Sequence, residues 1–392
     1  MTDQRDGLPE GLVDRVRDRL ADGRGDLTPM RVAEALREEG RPVGDATVLA
    51  VHEALRRDVL GAGPLEPLLR TPGVTDVLVN GPGQVFWDRG HGLERASVTF
   101  PDDAAVRRLA QRLAASGGRR LDDASPHVDV RLADGTRFHA VLSPIAQPGT
   151  VLSLRVPAGR TFSLDELSTA RFLVPATRRL LARIVAARLA FLVTGGTGSG
   201  KTTLLGSLLA TVAPEQRIVV VEDAAELRPS HPHLVALEAR APNIEGGGEV
   251  TLRMLVRQAL RMRPDRLVVG EVRGPEVVDL LAALNTGHEG GCGTLHANAA
   301  SEVPARVEAL ALAAGLSRPA VHSQLAAAVD AVVHLSRRRD GSRFVQTVAV
   351  PRVDADGLVR LETALGVAAD DAVDVGPAAD LLAARLADRE RR

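Results

Sequence analysis

Several residue types are nearly missing from this chain of 392 residues, and each shortage argues against a class of protein. A single cysteine, Cys292, cannot form an internal disulfide framework and is typical of a reducing compartment. With no tyrosine, one tryptophan and a net charge of −1, the chain lacks the surface expected of a protein that binds nucleic acid strands. No run of about 18 apolar residues predicts a transmembrane helix, and the first residues do not resemble a secretory signal. We therefore expect a cytosolic protein.

Lysine is the scarcest charged residue. Of the 49 basic residues, 48 are arginine and one is Lys201. The abundance of Arg, Ala, Gly and Pro indicates a GC-rich genome, in which a lysine without a special role tends to be replaced by arginine. Lys201 is therefore expected to perform a task that arginine cannot.

Changes in residue pattern divide the chain into four segments, whereas length alone predicts two to three domains of about 150 residues. Residues 1–58 show the periodicity of a helical module, and residues 59–157 show an α+β pattern with hairpins. Residues 158–365 alternate helix and strand in the manner of a wound parallel sheet. Residues 366–392, rich in Ala and Asp, are predicted to form a polar tail.

The lone lysine lies in Gly-Gly-Thr-Gly-Ser-Gly-Lys-Thr at 195–202, which fits the phosphate-binding pattern G-x-x-x-x-G-K-[ST]. This segment follows a predicted strand over 189–194 and precedes a predicted helix over 202–212, as the pattern requires. In such a loop backbone N–H groups converge on phosphates, the lysine reaches the β- and γ-phosphates, and the Thr202 hydroxyl binds Mg²⁺. A simple glycine-rich turn is the alternative. The predicted nucleotide-binding residues are Gly195, Gly196, Thr197, Gly198, Ser199, Gly200, Lys201, Thr202 and Thr203.

Three acidic residues stand where predicted strands end, at the edge where open α/β sheets bind ligands. Glu271 follows a strand over 267–270 and is expected to orient Mg²⁺, to polarise the attacking water, or both. Generic P-loop ATPases place Asp before this Glu, but Gly270 stands there. Glu222, a second catalytic candidate, and Asp223, a further metal ligand, end a neighbouring strand. A helix cap or a place in a surface loop is the alternative for each acid.

Two histidines flank a glycine-rich loop that is expected near the nucleotide. His296 is predicted to sense phosphate during catalysis, and His288 to contact the nucleotide. A structural role within the core is the alternative for both. Metal binding by Cys292 and the two histidines is not expected, because a fourth ligand and the usual spacing are missing.

These motifs, taken in their order, resemble the type II/type IV secretion ATPase superfamily, and more narrowly its Tad/CpaF branch. The resemblance covers about residues 55–350 and implies an α/β fold, with a RecA-like P-loop ATPase core and a smaller α+β, PAS-like N-terminal domain. The segments that carry it are the P-loop, Glu222-Asp223, Gly270-Glu271, the Gly-Thr-Leu-His box at 293–296, and residues 60–69, 77–81, 238–246 and 261–266.

The resemblance also implies cofactors and partners. It implies ATP and Mg²⁺, a homohexamer that binds nucleotide between its domains, and work in Flp-type pilus assembly or in secretion. The protein would then be peripheral at the cytoplasmic face of the inner membrane, held there by a membrane platform protein. No direct nucleic acid partner is expected.

Arginines before the predicted linker at Pro157 match in position those that secretion ATPases bring onto nucleotide. Arg137 and Arg155 are the catalytic candidates, and Arg131 is a weaker one. A guanidinium can stabilise the charge that develops during phosphoryl transfer. With 48 arginines in the chain, simple exposure to solvent is the alternative.

Other functions fit the sequence less well. A GTPase would need a second lysine for its N-K-x-D motif, and an ABC-type ATPase would need L-S-G-G-Q, which is absent. Two alternatives stay open: a DNA-pumping RecA-like motor, and a scaffold without enzymatic activity that keeps a relic P-loop.

Overall fold

The computed structural model divides the chain into two compact units, Met1–Pro157 and Ala158–Arg392. The described residues are 12, 15–16, 19, 28–38, 44–59, 61–90, 92–157, 160–240, 242, 247–287 and 289–391. Within them, no helix has both the length and the apolar character to cross a bilayer.

Unit 1 begins with helices that enclose a small apolar core of their own. Helices α1 (Pro29–Glu38) and α2 (Asp45–Val59) bury Val32 and Leu36 against Val51 and Leu55. The spacing of these residues, three or four apart, places them on one face of each helix. The helices here are α1 (Pro29–Glu38), α2 (Asp45–Val59), a 3₁₀ turn (Gly63–Leu65) and the short α3 (Glu66–Leu69).

A six-stranded antiparallel sheet follows, with strand order β3-β2-β1-β6-β5-β4. Helix α4 (Asp103–Ser116) starts at Asp102, whose carboxylate accepts a hydrogen bond from Ala105 N at 2.7 Å, and buries Val106, Leu109 and Leu113. These side chains share one core with the sheet. The strands are β1 (Asp76–Asn80), β2 (Val85–Asp88), β3 (Leu93–Arg95), β4 (His127–Arg131), β5 (Arg137–Val141) and β6 (Val151–Arg155).

Unit 2 is built on a nine-stranded sheet of order β15-β14-β13-β12-β7-β11-β10-β8-β9. The six strands from β12 to β9 in this order run parallel, and β13 to β15 extend the sheet in antiparallel fashion. The strands are β7 (Phe191–Gly195), β8 (Ile218–Glu222), β9 (Leu234–Glu238), β10 (Arg266–Val272), β11 (Cys292–His296), β12 (Ala331–Arg337), β13 (Arg343–Val353), β14 (Val359–Val367) and β15 (Val373–Val375).

Helices cover both faces of this sheet and create two cores. Phe191 and Val193 of β7 point into one core, and Leu192 points into the other, so the strand is apolar on both sides. The first core holds residues of α5 (Leu164–Thr169), α6 (Pro175–Ala186), α7 (Lys201–Leu209) and α12 (Ala379–Glu390). The second holds residues of α8 (Leu252–Ala259), α9 (Glu276–Asn285), α10 (Val303–Ala313) and α11 (Arg318–Ala328).

The C-terminal segment differs from the polar tail expected for residues 366–392. Strand β14 runs on to Val367, β15 pairs with it, and α12 packs on the sheet. Leu382 and Leu386, four residues apart, are both buried in the first core. The tail prediction was wrong because two leucines on one helical face supply enough apolar surface to dock a helix that is otherwise polar. Helix α11 was not anticipated either.

Candidate functional site

The glycine-rich loop lies at the C-terminal end of β7, between neighbours β11 and β12. All five residues of β7 are buried, and α7 begins at Lys201 directly after the loop. The Ser199 side chain is buried, and its hydroxyl has no hydrogen-bond partner in the described structure. An unsatisfied buried hydroxyl inside a loop of this shape suits a bound phosphate oxygen.

Lys201 is held inside this loop. Lys201 is 7% exposed, and its Nζ donates hydrogen bonds to Gly195 O at 3.0 Å and Gly196 O at 2.9 Å. Burial lowers the pKa of Lys201, while the nearby charge of Glu271 acts in the opposite direction. A compact ammonium group held by neutral carbonyls keeps its charge for an anionic ligand.

A chain of polar contacts leads from this lysine to the predicted catalytic acid. His296 Nδ1 lies 3.3 Å from Lys201 Nζ, and His296 Nε2 lies 2.5 Å from Glu271 Oε1. Burial and the charge of Lys201 lower the pKa of His296, which favours a neutral ring. A neutral ring allows Nδ1 to accept a hydrogen bond from the Lys201 ammonium. On the other side of the ring, Nε2 lies in contact with Glu271 Oε1, so His296 lies between the two ends of the site.

Arg273 also belongs to the site. Its guanidinium donates a hydrogen bond to Glu271 Oε2. The other oxygen, Oε1, lies beside His296 but has no hydrogen-bond partner in the described structure. The sequence analysis did not single out Arg273, although its position two residues after Glu271 on an extended segment places both side chains on the same side. That period-2 relation was the signal that could have found it.

Glu222 is buried against Gly270, the residue before Glu271. The residue is 4% exposed, and its carboxylate accepts hydrogen bonds from Leu227 N at 3.1 Å and Glu226 N at 3.2 Å. Burial raises the pKa of Glu222 to about 7, against the effect of these backbone hydrogen bonds. Glu222 therefore holds the loop after β8 in place through backbone hydrogen bonds. The pKa of its carboxyl group lies near neutral pH.

The packing of Glu222 explains the glycine before Glu271. A Cβ atom at Gly270 would lie 2.7 Å from Glu222 Oε1 and 2.9 Å from its Cδ. Strands β8 and β10 are neighbours, so the Glu222 side chain fills the space that an aspartate at position 270 would need. The small residue at position 270 is therefore required by the packing of Glu222 from the adjacent strand.

Asp223, Thr202 and His288 are further residues predicted for this site. Asp223 follows β8 and is exposed, Thr202 is half-buried in the first turn of α7, and His288 lies outside the described residues. No three His, Cys, Asp or Glu side chains form a cluster in the part of the chain that is described. Cys292 is fully buried and its pKa is raised to about 12 by burial, so it offers no thiolate.

Unit 1 brings the predicted arginines together. Arg131 pairs with Arg137 across β4 and β5, and Arg137 pairs with Arg155 across β5 and β6. The three therefore form one cross-strand row, which continues to Asp76 on β1. Arg137 donates to Asp129 at 2.6 Å, and Arg155 Nε donates to Asp76 at 3.2 Å. Like charges directly opposite one another on neighbouring strands repel and destabilise the sheet. A row of three arginines is therefore suited to an anionic partner.

Comparisons with known proteins agree with this architecture. The family model for "Type II/IV secretion system protein" matches residues 58–360. A putative conjugal transfer protein of Mycobacterium tuberculosis H37Rv is 59% identical over 327 residues, which cover 82% of this chain and 93% of the relative. The conjugal transfer protein TrbB of Rhizobium radiobacter is 32% identical over 71% of this chain and 84% of its own length.

A solved structure shares the fold at low sequence identity. The ATPase DotB of Yersinia pseudotuberculosis is 18% identical, with a TM-score of 0.54 over 78% of this chain and 80% of DotB. The expected α/β core with an N-terminal domain is thereby confirmed. Since the family model covers well over half of the residues, the chain belongs to the type II/IV secretion ATPase superfamily.

Proposed function

We propose that the protein is a Mg²⁺-dependent motor that hydrolyses ATP to ADP and phosphate. The observation that carries this proposal is the continuous contact from Lys201 through His296 to Glu271 at the end of a P-loop strand. A relic P-loop in a scaffold would have no need to keep a lysine, a histidine and a carboxylate aligned in this way. The contact joins the group that would bind the phosphates to the group that would handle water.

Each residue has a distinct part in this chemistry. Lys201 and the loop N–H groups bind the β- and γ-phosphates, and Glu271 orients or polarises the attacking water. His296 reports on the γ-phosphate, because its Nδ1 already contacts the lysine that binds it. Glu222, with a pKa near 7, is a second candidate for a proton acceptor. Thr203 and His288 would complete the contacts to nucleotide.

The donors of the site suit Mg²⁺. This ion prefers oxygen ligands and commonly keeps several waters, so one or two protein groups are enough to hold it beside phosphates. The Thr202 hydroxyl and the carboxylates of Glu271 and Asp223 are the groups proposed to hold it. When bound, Mg²⁺ would neutralise charge on the phosphates.

The proposed working form is a homohexameric ring. Arg155 and Arg137 would act on nucleotide bound by the P-loop unit and couple hydrolysis to rotation of the N-terminal domain. Support comes from the cross-strand row of arginines, which holds Arg131, Arg137 and Arg155 side by side. Their present carboxylate partners, Asp129 and Asp76, are themselves partly exposed, so an anionic ligand could take their place.

The proposed task is to power Flp/Tad-type pilus assembly, or type II/IV secretion, from the cytoplasmic face of the inner membrane through a platform protein. The Tad/CpaF-like segments at 60–69 and 261–266 support the pilus. Conjugal transfer is a second candidate, supported by the names of the relatives from M. tuberculosis and R. radiobacter. Membrane flotation of the protein with and without its platform protein tests the peripheral location.

ATPase turnover of the full chain tests the activity itself. Lys201→Ala should lower the rate by about 100-fold or more, since a charged group aimed at the transferring phosphoryl is lost. Lys201→Arg should recover little, because the planar guanidinium does not fit among the loop carbonyls. Arg352→Ala, at an exposed ion pair on β13, is the control and should leave the rate unchanged. Equal turnover in all variants would overturn the site assignment. In a separate experiment, light scattering measures the molar mass in solution and so tests the hexamer.

A further inference from the structure

The P-loop strand has two neighbours, and each brings a different chemistry to the loop. On one side β11 ends at His296, which connects Lys201 to Glu271. On the other side β12 runs parallel to β7 with Leu335 level with Gly195, so the chain leaves β12 beside the loop at Arg337. Neither the sequence motifs nor the proposed function uses this second side.

Arg337 contacts the P-loop directly. Its Nη2 donates a hydrogen bond of 2.6 Å to Gly198 O. Gly198 has a φ of +66°, and a Cβ atom there would collide with Arg337 Nη2. The positive φ favours glycine at this position, and the guanidinium lies directly against the backbone there. The guanidinium of Arg337 is therefore in direct contact with the backbone of the P-loop.

The charge of Arg337 is not neutralised by any carboxylate in the described structure. The side chain is exposed, and one hydrogen bond to a neutral carbonyl occupies one of its five N–H donors. Its neighbour Arg338 is the opposite case, because it is almost buried, pairs with Asp371 and stacks on Phe344. A fixed, exposed and unpaired guanidinium beside a phosphate-binding loop is suited to a phosphate oxygen.

We propose that Arg337 is a second cationic ligand of the nucleotide's phosphate chain, approaching the loop from the β12 side. The inference rests on the proposed function, because it takes the ligand of the loop to be a nucleoside di- or triphosphate. The Gly198 carbonyl orients the guanidinium before ligand arrives, so little side-chain freedom is lost on binding. Arg337 then helps to set how tightly ADP and ATP are held.

Equilibrium binding of a fluorescent ADP analogue to the full chain, with competition by unlabelled pyrophosphate, tests this role. Arg337→Ala should weaken both ligands by about 10- to 100-fold, the usual range for a charged hydrogen bond. Arg337→Gln keeps a donor for Gly198 O without the charge, and it should be as weak as the alanine variant. Arg339→Ala, an exposed arginine in the same β12–β13 turn, should bind like the wild type.

Two results would overturn the proposal. Binding by Arg337→Ala within twofold of the wild type would show that the guanidinium does not contact phosphate. Full recovery in Arg337→Gln would show that it only supports the loop. Thermal unfolding of each ligand-free variant checks that the fold is kept, and Arg337→Lys, which retains the charge, provides a second variant.

Lys201→Ala, measured in parallel, separates this inference from the proposed function. If the wild type binds ADP in a Lys201-dependent way and the Arg337 variants do not differ from it, only the role of Arg337 fails. If the wild type binds neither ADP nor pyrophosphate, the proposed function fails as well.

Discussion

The two units both gather charged residues, but they hold them in opposite ways. In unit 1, Arg155 is 56% exposed and Arg137 is 40% exposed, and each is paired with a carboxylate at the surface. In unit 2, Lys201 and Glu222 are 7% and 4% exposed and are fixed by backbone groups. Exposed ion pairs contribute only about 0–1 kcal/mol, so the unit 1 arginines can change partners easily. Lys201 and Glu222 of unit 2 are fixed by packing, and separating these buried groups from their partners would cost far more free energy than breaking an exposed ion pair.

The largest expected effect is on catalysis and comes from the exposed arginines of unit 1. Arg155→Ala should lower ATPase turnover by about 100-fold or more, because the guanidinium proposed to stabilise the transferring phosphoryl group is lost. Binding of ATP should persist, since the P-loop is intact. The free energy of unfolding should change by less than about 1 kcal/mol, because the pair with Asp76 is exposed.

The control for that experiment is Arg89→Ala. Arg89 is also an ion-paired, partly exposed arginine near the same sheet, with Glu94 as its partner, but it lies outside the arginine row. Turnover by Arg155→Ala at the level of Arg89→Ala would show that the row has no part in catalysis.

A smaller effect, on stability, is expected for the buried groups of unit 2. Gly270→Ala should lower the free energy of unfolding by about 1–3 kcal/mol, because its Cβ would press on the Glu222 side chain. Gly206→Ala, inside α7 with its nearest contacts at 3.8 Å, should be neutral or stabilising by up to about 1 kcal/mol. Urea unfolding at one pH measures both. A Gly270→Ala variant as stable as Gly206→Ala would show that the two strands can shift apart.

An effect of similar size concerns the pH dependence of stability. The pKa of Glu222 is raised from its usual 4.5 to about 7 in the folded protein, so folding favours its protonated form. The resulting stabilisation is present below pH 4.5 and is lost as the pH rises through 7. Glu222→Gln has no such proton. Relative to the wild type, it should therefore gain about 1–3 kcal/mol of unfolding free energy between pH 5 and pH 8.

Unfolding curves of the two proteins at matched pH values provide the check. A constant difference between pH 5 and pH 8 would contradict the raised pKa of Glu222. Turnover of the same variant bears on its proposed part as a proton acceptor, because a base would be lost together with the charge.

Sequence patterns anticipated local elements more reliably than the contacts between them. The strand before Lys201, the helix after it and the strand before Glu271 were all expected close to their observed positions. Each depends on apolar periodicity or on a turn within about a dozen residues. The C-terminal helix was missed because its apolar face is narrow and only the core of unit 2 gives it a place to dock.

By itself, the sequence determined the P-loop, because a motif of eight contiguous residues contains both the glycines that shape the backbone and the lysine proposed to bind phosphate. It also placed Glu271 and His296 at strand ends, and these ends meet at one edge because the strands are parallel. Only the tertiary structure decided that Glu222 fills the space of a missing aspartate, that three arginines share a row, and that Arg337 rests on Gly198. These contacts depend on strand order and register, which bring together residues up to about 140 positions apart and which no local pattern of residues specifies.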